Sequence, residues 1–195
     1  MDTWIIVLIV IVVVVLLFIV ALYNSLVRLN MRVKEAWSDI GVQLKRRADL
    51  LGNLVDTVKA SAKFEQSTIE NVTKARTGLT EAIDGKATPA QVAKAENALT
   101  KVIGGLNFEA YPQLKTTENY GKLMDEISDT EDKIQASRRF YNNGVMSLNV
   151  KIKTFPNNIF AGILGYKERE MFEPEQREDL EKGHDASKST VNFEE

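Results

Sequence analysis

The sequence predicts an all-α protein: an N-terminal transmembrane helix followed by an antiparallel, up-and-down four-helix bundle with long first and last helices. Three observations carry that prediction. Trp4 to Tyr23 is an apolar run of about twenty residues without a charge. Beyond Asn24, apolar residues recur at spacings of three and four with almost no strand alternation. Proline and glycine fall mostly between these patterns. The expected domains are an anchor at 1–23, a helical bundle at 24–166 and a charged tail at 167–195.

The leader WIIVLIVIVVVVLLFIVALY forms, at 1.5 Å per residue, a helix of about 30 Å, the thickness of a hydrocarbon core. Trp4 and Tyr23 stand at its two ends, where amphipathic rings favour the headgroup region. Asp2 occupies the place of a basic n-region, and the run exceeds an ordinary signal-peptide core, so an anchor is expected rather than a cleaved signal. Arg28, Arg32 and Lys34 follow the span, whereas no Lys or Arg precedes it. The expectation is a single-pass protein of the cell (inner) membrane, N-terminus outside and helical body in the cytoplasm.

The first bundle helix is expected from about Asn24 to Ala62, continuous with the membrane helix. Its stripe includes Leu26, Val33, Trp37, Leu44, Leu51 and Val58. A second pattern, Ile69, Val72, Leu79 and Ile83, ends near Asp84 and Gly85, where a glycine can take the left-handed capping conformation. Thr88, Pro89 and Gln91 open a third helix as N-cap, first position and capping-box partner. Gly104 and Gly105 close it. After a turn around Tyr111 and Pro112, the longest pattern runs from about Thr117 to Phe155, through Tyr120, Leu123, Ile127, Ile134, Tyr141, Val145 and Leu148, and Pro156 ends it. From about Pro174 to Glu195 the chain is charged and aperiodic, a composition that orders only against a partner.

These residues also carry a resemblance. The membrane helix followed by YNSLVRLNMRVKEAWSDIGVQLKRRADLLGNLVDTVK, then TKAR, LMDEISDTEDKIQASRRFYNNGV and FPNNIFAGILGY, resembles the LemA family along most of the chain. The resemblance implies a membrane-anchored helical-bundle protein of bacteria without established catalytic activity. Gly41 stands where that pattern has an acidic residue, Gly52 where proline is common, and Phe64 where histidine often precedes the glutamate.

Charge placement raises one specific question, because Lys45, Arg46 and Arg47 lie side by side in the first helix. At about 100° per residue with Leu44 at zero, the apolar stripe centres near −20°, roughly. Trp37 falls at about 20° and belongs to the stripe, while Lys45 and Arg46 point away. Arg47 falls at about −60°, level with Leu29 and inside the apolar sector. The same construction places Arg76 and Glu65 on the stripe of the second helix, and Glu131 and Arg138 beside the Ile134 and Tyr141 stripe of the last. Charges at stripe positions need partners. They are expected to form an interhelical polar network, the alternative being a polar groove for an anionic ligand, since arginine forks suit carboxylate or phosphate.

Other chemistry finds little support. Net charge is −2, with 25 Lys+Arg against 27 Asp+Glu, so no global field favours nucleic acid, and no exposed aromatic residues interleave the basic triplet. Cysteine is absent, which excludes thiolate catalysis and Cys-based zinc sites, and the single histidine, His184, sits in the polar tail without flanking ligands. The acidic series Asp125, Glu126, Asp129 and Asp132 spreads around its helix beside Lys122 and Lys133, as a solvated face does. No Glu-x-x-His pair, phosphate loop, nucleophile elbow or dinucleotide fingerprint occurs. No catalytic residue, metal or cofactor is expected.

Two functions are consistent with this reading. The first is a non-enzymatic, membrane-anchored scaffold that assembles with itself or recruits envelope proteins. The second is a membrane-tethered adaptor that binds an anion and regulates a membrane partner such as a protease. The expected partners are the lipid bilayer, further copies of the chain and a membrane protein. A last segment needs an apolar surface: Ile159, Phe160, Ile163 and Leu164 follow the helix-ending proline in a stretch too short to span. It is expected either to lie in the membrane interface or to cap the open end of the bundle or pack on a neighbouring subunit.

Overall fold

The computed structural model describes residues 3–61, 66–85, 87–105 and 118–172. Among them are five α-helices and no strand: α1 Thr3–Ser61, α2 Gln66–Asp84, α3 Pro89–Gly104, α4 Glu118–Lys153 and α5 Asn157–Ile163. The apolar run and the first amphipathic helix form one element, α1, because nothing at Tyr23 and Asn24 interrupts helical geometry. Side chains from Ile6 to Val20 are mostly half exposed or more, the state of a helix whose surroundings are not its own protein. Phe64, Glu65, Tyr111, Pro112 and the tail lie outside the described residues.

The helix ends follow local chemistry. Gln91 donates its backbone N–H to the Thr88 hydroxyl at 3.4 Å, and its side-chain carbonyl accepts the Thr88 N–H at 2.9 Å, so the capping box satisfies two orphan donors at the start of α3. Gly85 departs from expectation: it has no positive φ, and its N–H donates to the Glu81 carbonyl at 2.8 Å. What requires glycine there is proximity, since a Cβ would stand 2.6 Å from that carbonyl oxygen. Gly165, at φ 71°, is the positive-φ glycine among the described residues. Pro156 lies between α4, which stops at Lys153, and the short α5 that the sequence reading did not separate as a helix.

The chain divides into two compact units. The first comprises the chain to Ile40 together with Ala136–Met171. Its core is Leu22, Leu26, Val33, Ala36 and Ile40 from α1, Tyr141, Val145 and Leu148 from α4, and Ala161 from α5. Trp37 is half-buried rather than enclosed, its ring 5.3 Å from that of Tyr141 at 50°, a tilted aromatic pair. Gly144 lets the two backbones approach, a Cβ there lying 3.4 Å from the Val33 side chain. The second unit comprises the described parts of Gly41–Gln135 and Phe172. It buries Leu44, Leu51 and Leu54 of α1, Leu79 of α2, Leu99 of α3 and Ile134 of α4, and α2 packs along α3.

Candidate ionic centre

Three helices of the second unit converge on one charge. Arg47 lies on the stripe of α1 between Leu44 and Leu51, and only 4% of its side chain is exposed. Its Nη1 donates to Glu96 Oε1 of α3 at 2.9 Å and stands 2.8 Å from Glu131 Oε2 of α4. Glu96 is 2% exposed and Glu131 31% exposed, so one carboxylate is enclosed while the other reaches solvent. That asymmetry makes the charges tolerable. The enclosed Glu96 neutralises Arg47, while Glu131, whose Oε2 is enclosed beside Arg47, keeps 31% of its side chain exposed. Thr100 donates its hydroxyl to the same Glu96 oxygen at 3.3 Å, one turn along α3.

The other polar positions lie elsewhere. Arg76 of α2 is half-buried and lays its guanidinium against Gly52 of α1, where a Cβ would come within 2.6 Å of Nη1. Gly41, the other family departure on α1, faces Ile83 of α2 at 3.9 Å from its missing Cβ. Both glycines therefore lie under the second helix, and a larger or charged residue would meet Arg76 or a methyl group. Arg138 belongs to the first unit and is half-buried. Glu65 lies outside the described residues. Of the basic triplet, Arg46 is exposed and approaches Glu126 at 3.8 Å, a surface pair of little energetic weight.

Glu96 is the residue that sequence reasoning missed. Its signal was present: Val92, Ala93, Glu96 and Leu99 share one face of α3, so a stripe construction on that helix would have exposed it. The acidic series of α4 is used on the surface, Asp129 pairing with Lys133 at 2.6 Å and Glu126 with Arg46. Among the described residues no three metal-ligating side chains converge. The apolar segment presents Ile159, Ile163 and Leu164 to solvent at 52%, 77% and 45%, with Phe160 half-buried.

The model of the LemA family matches residues 36–184, which contain Arg47, Glu96 and Glu131. The chain belongs to the LemA family. Protein LemA of Metamycoplasma hominis is 34% identical over 140 residues, covering 71% of this chain and 63% of that protein. This chain is also similar to magnetosome protein MamQ 2 of Paramagnetospirillum magneticum, at 26% identity over 178 residues, covering 77% of this chain and 64% of the relative. Magnetosome protein MamQ of Magnetospirillum gryphiswaldense is 28% identical over 176 residues with the same coverage. The chain thus spans a little under two-thirds of the length of these curated relatives.

Proposed function

We propose that this LemA family protein is a non-enzymatic, single-pass scaffold of the cell membrane, whose helical body assembles with further copies or recruits envelope proteins. The observation that carries the proposal is α1, an outward-facing apolar helix that continues without a break into the helical body. Arg28, Arg32 and Lys34 beyond the span support a cytoplasmic body. The body is an antiparallel four-helix bundle. In support, Gly41 and Gly52 of α1 meet Ile83 and Arg76 of α2 in reverse order, and a short connection joins α2 to α3. Val33 and Trp37 of α1 likewise meet Gly144 and Tyr141 of α4 in reverse order. Met146 and Val150, one turn apart on α4 and more than half exposed, offer apolar area for self-contact.

An anion-binding adaptor is the second reading, favoured by two buried donors, Arg47 Nε and Asn97 Nδ2, that lack hydrogen-bond acceptors. Against it, an anion at Arg47 would compete with Glu96 and Glu131, already within 3 Å of the same nitrogen. Size-exclusion chromatography with light scattering on the detergent-solubilised full-length protein separates the two. The scaffold gives a defined oligomer without added ligand. A strict monomer whose mass or shape changes only with a small anion would favour the adaptor.

A further inference from the structure

The short helix α5 carries two large apolar side chains, Ile159 and Ile163, on the wrong side for a water-exposed protein. Its inward positions are Asn157 and Ala161, both buried, and at about 100° per residue Ile159 and Ile163 lie roughly opposite them. Phe155 just before the helix is 75% exposed and Ile163 within it 77%. A soluble surface would place the apolar face inward, so this face is built for a different medium.

Contacts within the first unit locate that face relative to the end of the span. Val33 lies beside Gly144 and Trp37 beside Tyr141, so α1 and α4 run in opposite directions in this unit. Moving from Gly144 to Phe155 therefore corresponds to moving from Val33 back to about Leu22, the last turn of the apolar run. Beyond α5 the chain is tied down a second time. Arg169 donates from its guanidinium to Asn30 Oδ1 at 3.2 Å, and its backbone N–H and carbonyl bond the Asn149 side chain at 2.9 Å each. Asn30 is only about 10 Å along α1 from Tyr23. The segment between these two ties is thus held at the level where the membrane helix emerges.

We infer that α5, with Phe155, Ile159 and Ile163, is an in-plane membrane element that embeds its outward apolar face in the lipid interface beside the span of α1. The occupant of this face is lipid rather than protein because the ties bring it level with the end of the bilayer-spanning run. Exposed Arg28, Arg32 and Lys167 in the same unit add cations suited to anionic headgroups. The contact gives the body a second point of attachment, which would restrict its tilt and rotation about a single helix. This inference rests on the reading of α1 as a membrane anchor.

The absence of native cysteine allows single-cysteine probes in the full-length protein. A small fluorophore is attached at Ile163→Cys, at Leu17→Cys within the span, or at Val42→Cys on the exposed face of the body. Each protein is reconstituted into phosphatidylcholine–phosphatidylglycerol vesicles carrying lipids brominated in the upper acyl chain. The expected result is that bromolipid quenches Ile163→Cys several-fold more than Val42→Cys, while aqueous iodide shows the reverse order. Iodide access at Ile163 equal to that at Val42 would overturn the inference. So would shielding from both quenchers, which would mean that protein covers the face. If Leu17→Cys is itself unquenched by bromolipid, the anchor reading fails and the inference with it; quenching at Leu17 without quenching at Ile163 overturns the inference alone.

Discussion

At the residue scale, Arg47 is the position with the largest predicted consequence. Removing it takes the Arg47 charge away from the enclosed Glu96, and breaking a buried pair in this way costs about 3–5 kcal/mol. Arg47→Ala is expected to lose that much in denaturant unfolding followed by circular dichroism, whereas Arg46→Ala, at the exposed pair, changes stability by less than about 1 kcal/mol. Replacing all three charges by apolar or neutral groups, as in Arg47→Met with Glu96→Gln and Glu131→Gln, should recover most of the loss. Tyr141 carries a second prediction. Burial pushes its phenol above the ordinary value of 10.0, with Arg169 lowering it and Glu170 raising it. A raised folded-state value means that its contribution is present below the unfolded value and is lost as pH rises through the folded one. Stability should therefore fall above pH 10, and Tyr141→Phe should weaken that fall while costing about 1 kcal/mol at neutral pH for the lost hydrogen bond to the Glu170 carbonyl. Arg47 and Glu131 could be read from their angular position on apolar stripes. Which third helix supplies the enclosed carboxylate could not be read from α1 or α4, because periodicity assigns a face without saying what meets it.

At the element scale, the glycines separate two kinds of constraint. Ala at Gly85 would place a Cβ 2.6 Å from a backbone carbonyl that cannot swing away, so Gly85→Ala should destabilise by about 1 kcal/mol or more. Ala at Gly52 meets only the far end of the flexible Arg76 side chain. There the helix-propensity gain of Ala over Gly, about 1 kcal/mol, offsets the displacement, and thermal unfolding should show little change or a small stabilisation. The capping box, the single long first helix and the stop before Pro156 were legible because each rests on local chemistry. The α5 helix was not, since seven residues give too few turns for a periodic signal, and its form depends on packing within the first unit. Nor did Gly85 announce its role, as a close approach to the preceding turn leaves the same letter in the sequence as a left-handed cap.

For the whole molecule, assembly and anchoring make separate demands. Met146→Glu with Val150→Glu places charges on the exposed apolar turn of α4 and should shift the light-scattering mass toward monomer with helical content unchanged. The proposed anchoring, with the body facing the cytoplasm, is tested most directly by labelling single cysteines at Leu17 and Val42 in intact cells with a membrane-impermeant maleimide. Val42→Cys should label only after lysis, and Leu17→Cys should resist labelling while the membrane is intact. Labelling of Val42→Cys before lysis would contradict the orientation, and labelling of Leu17→Cys in an intact membrane would contradict the span itself.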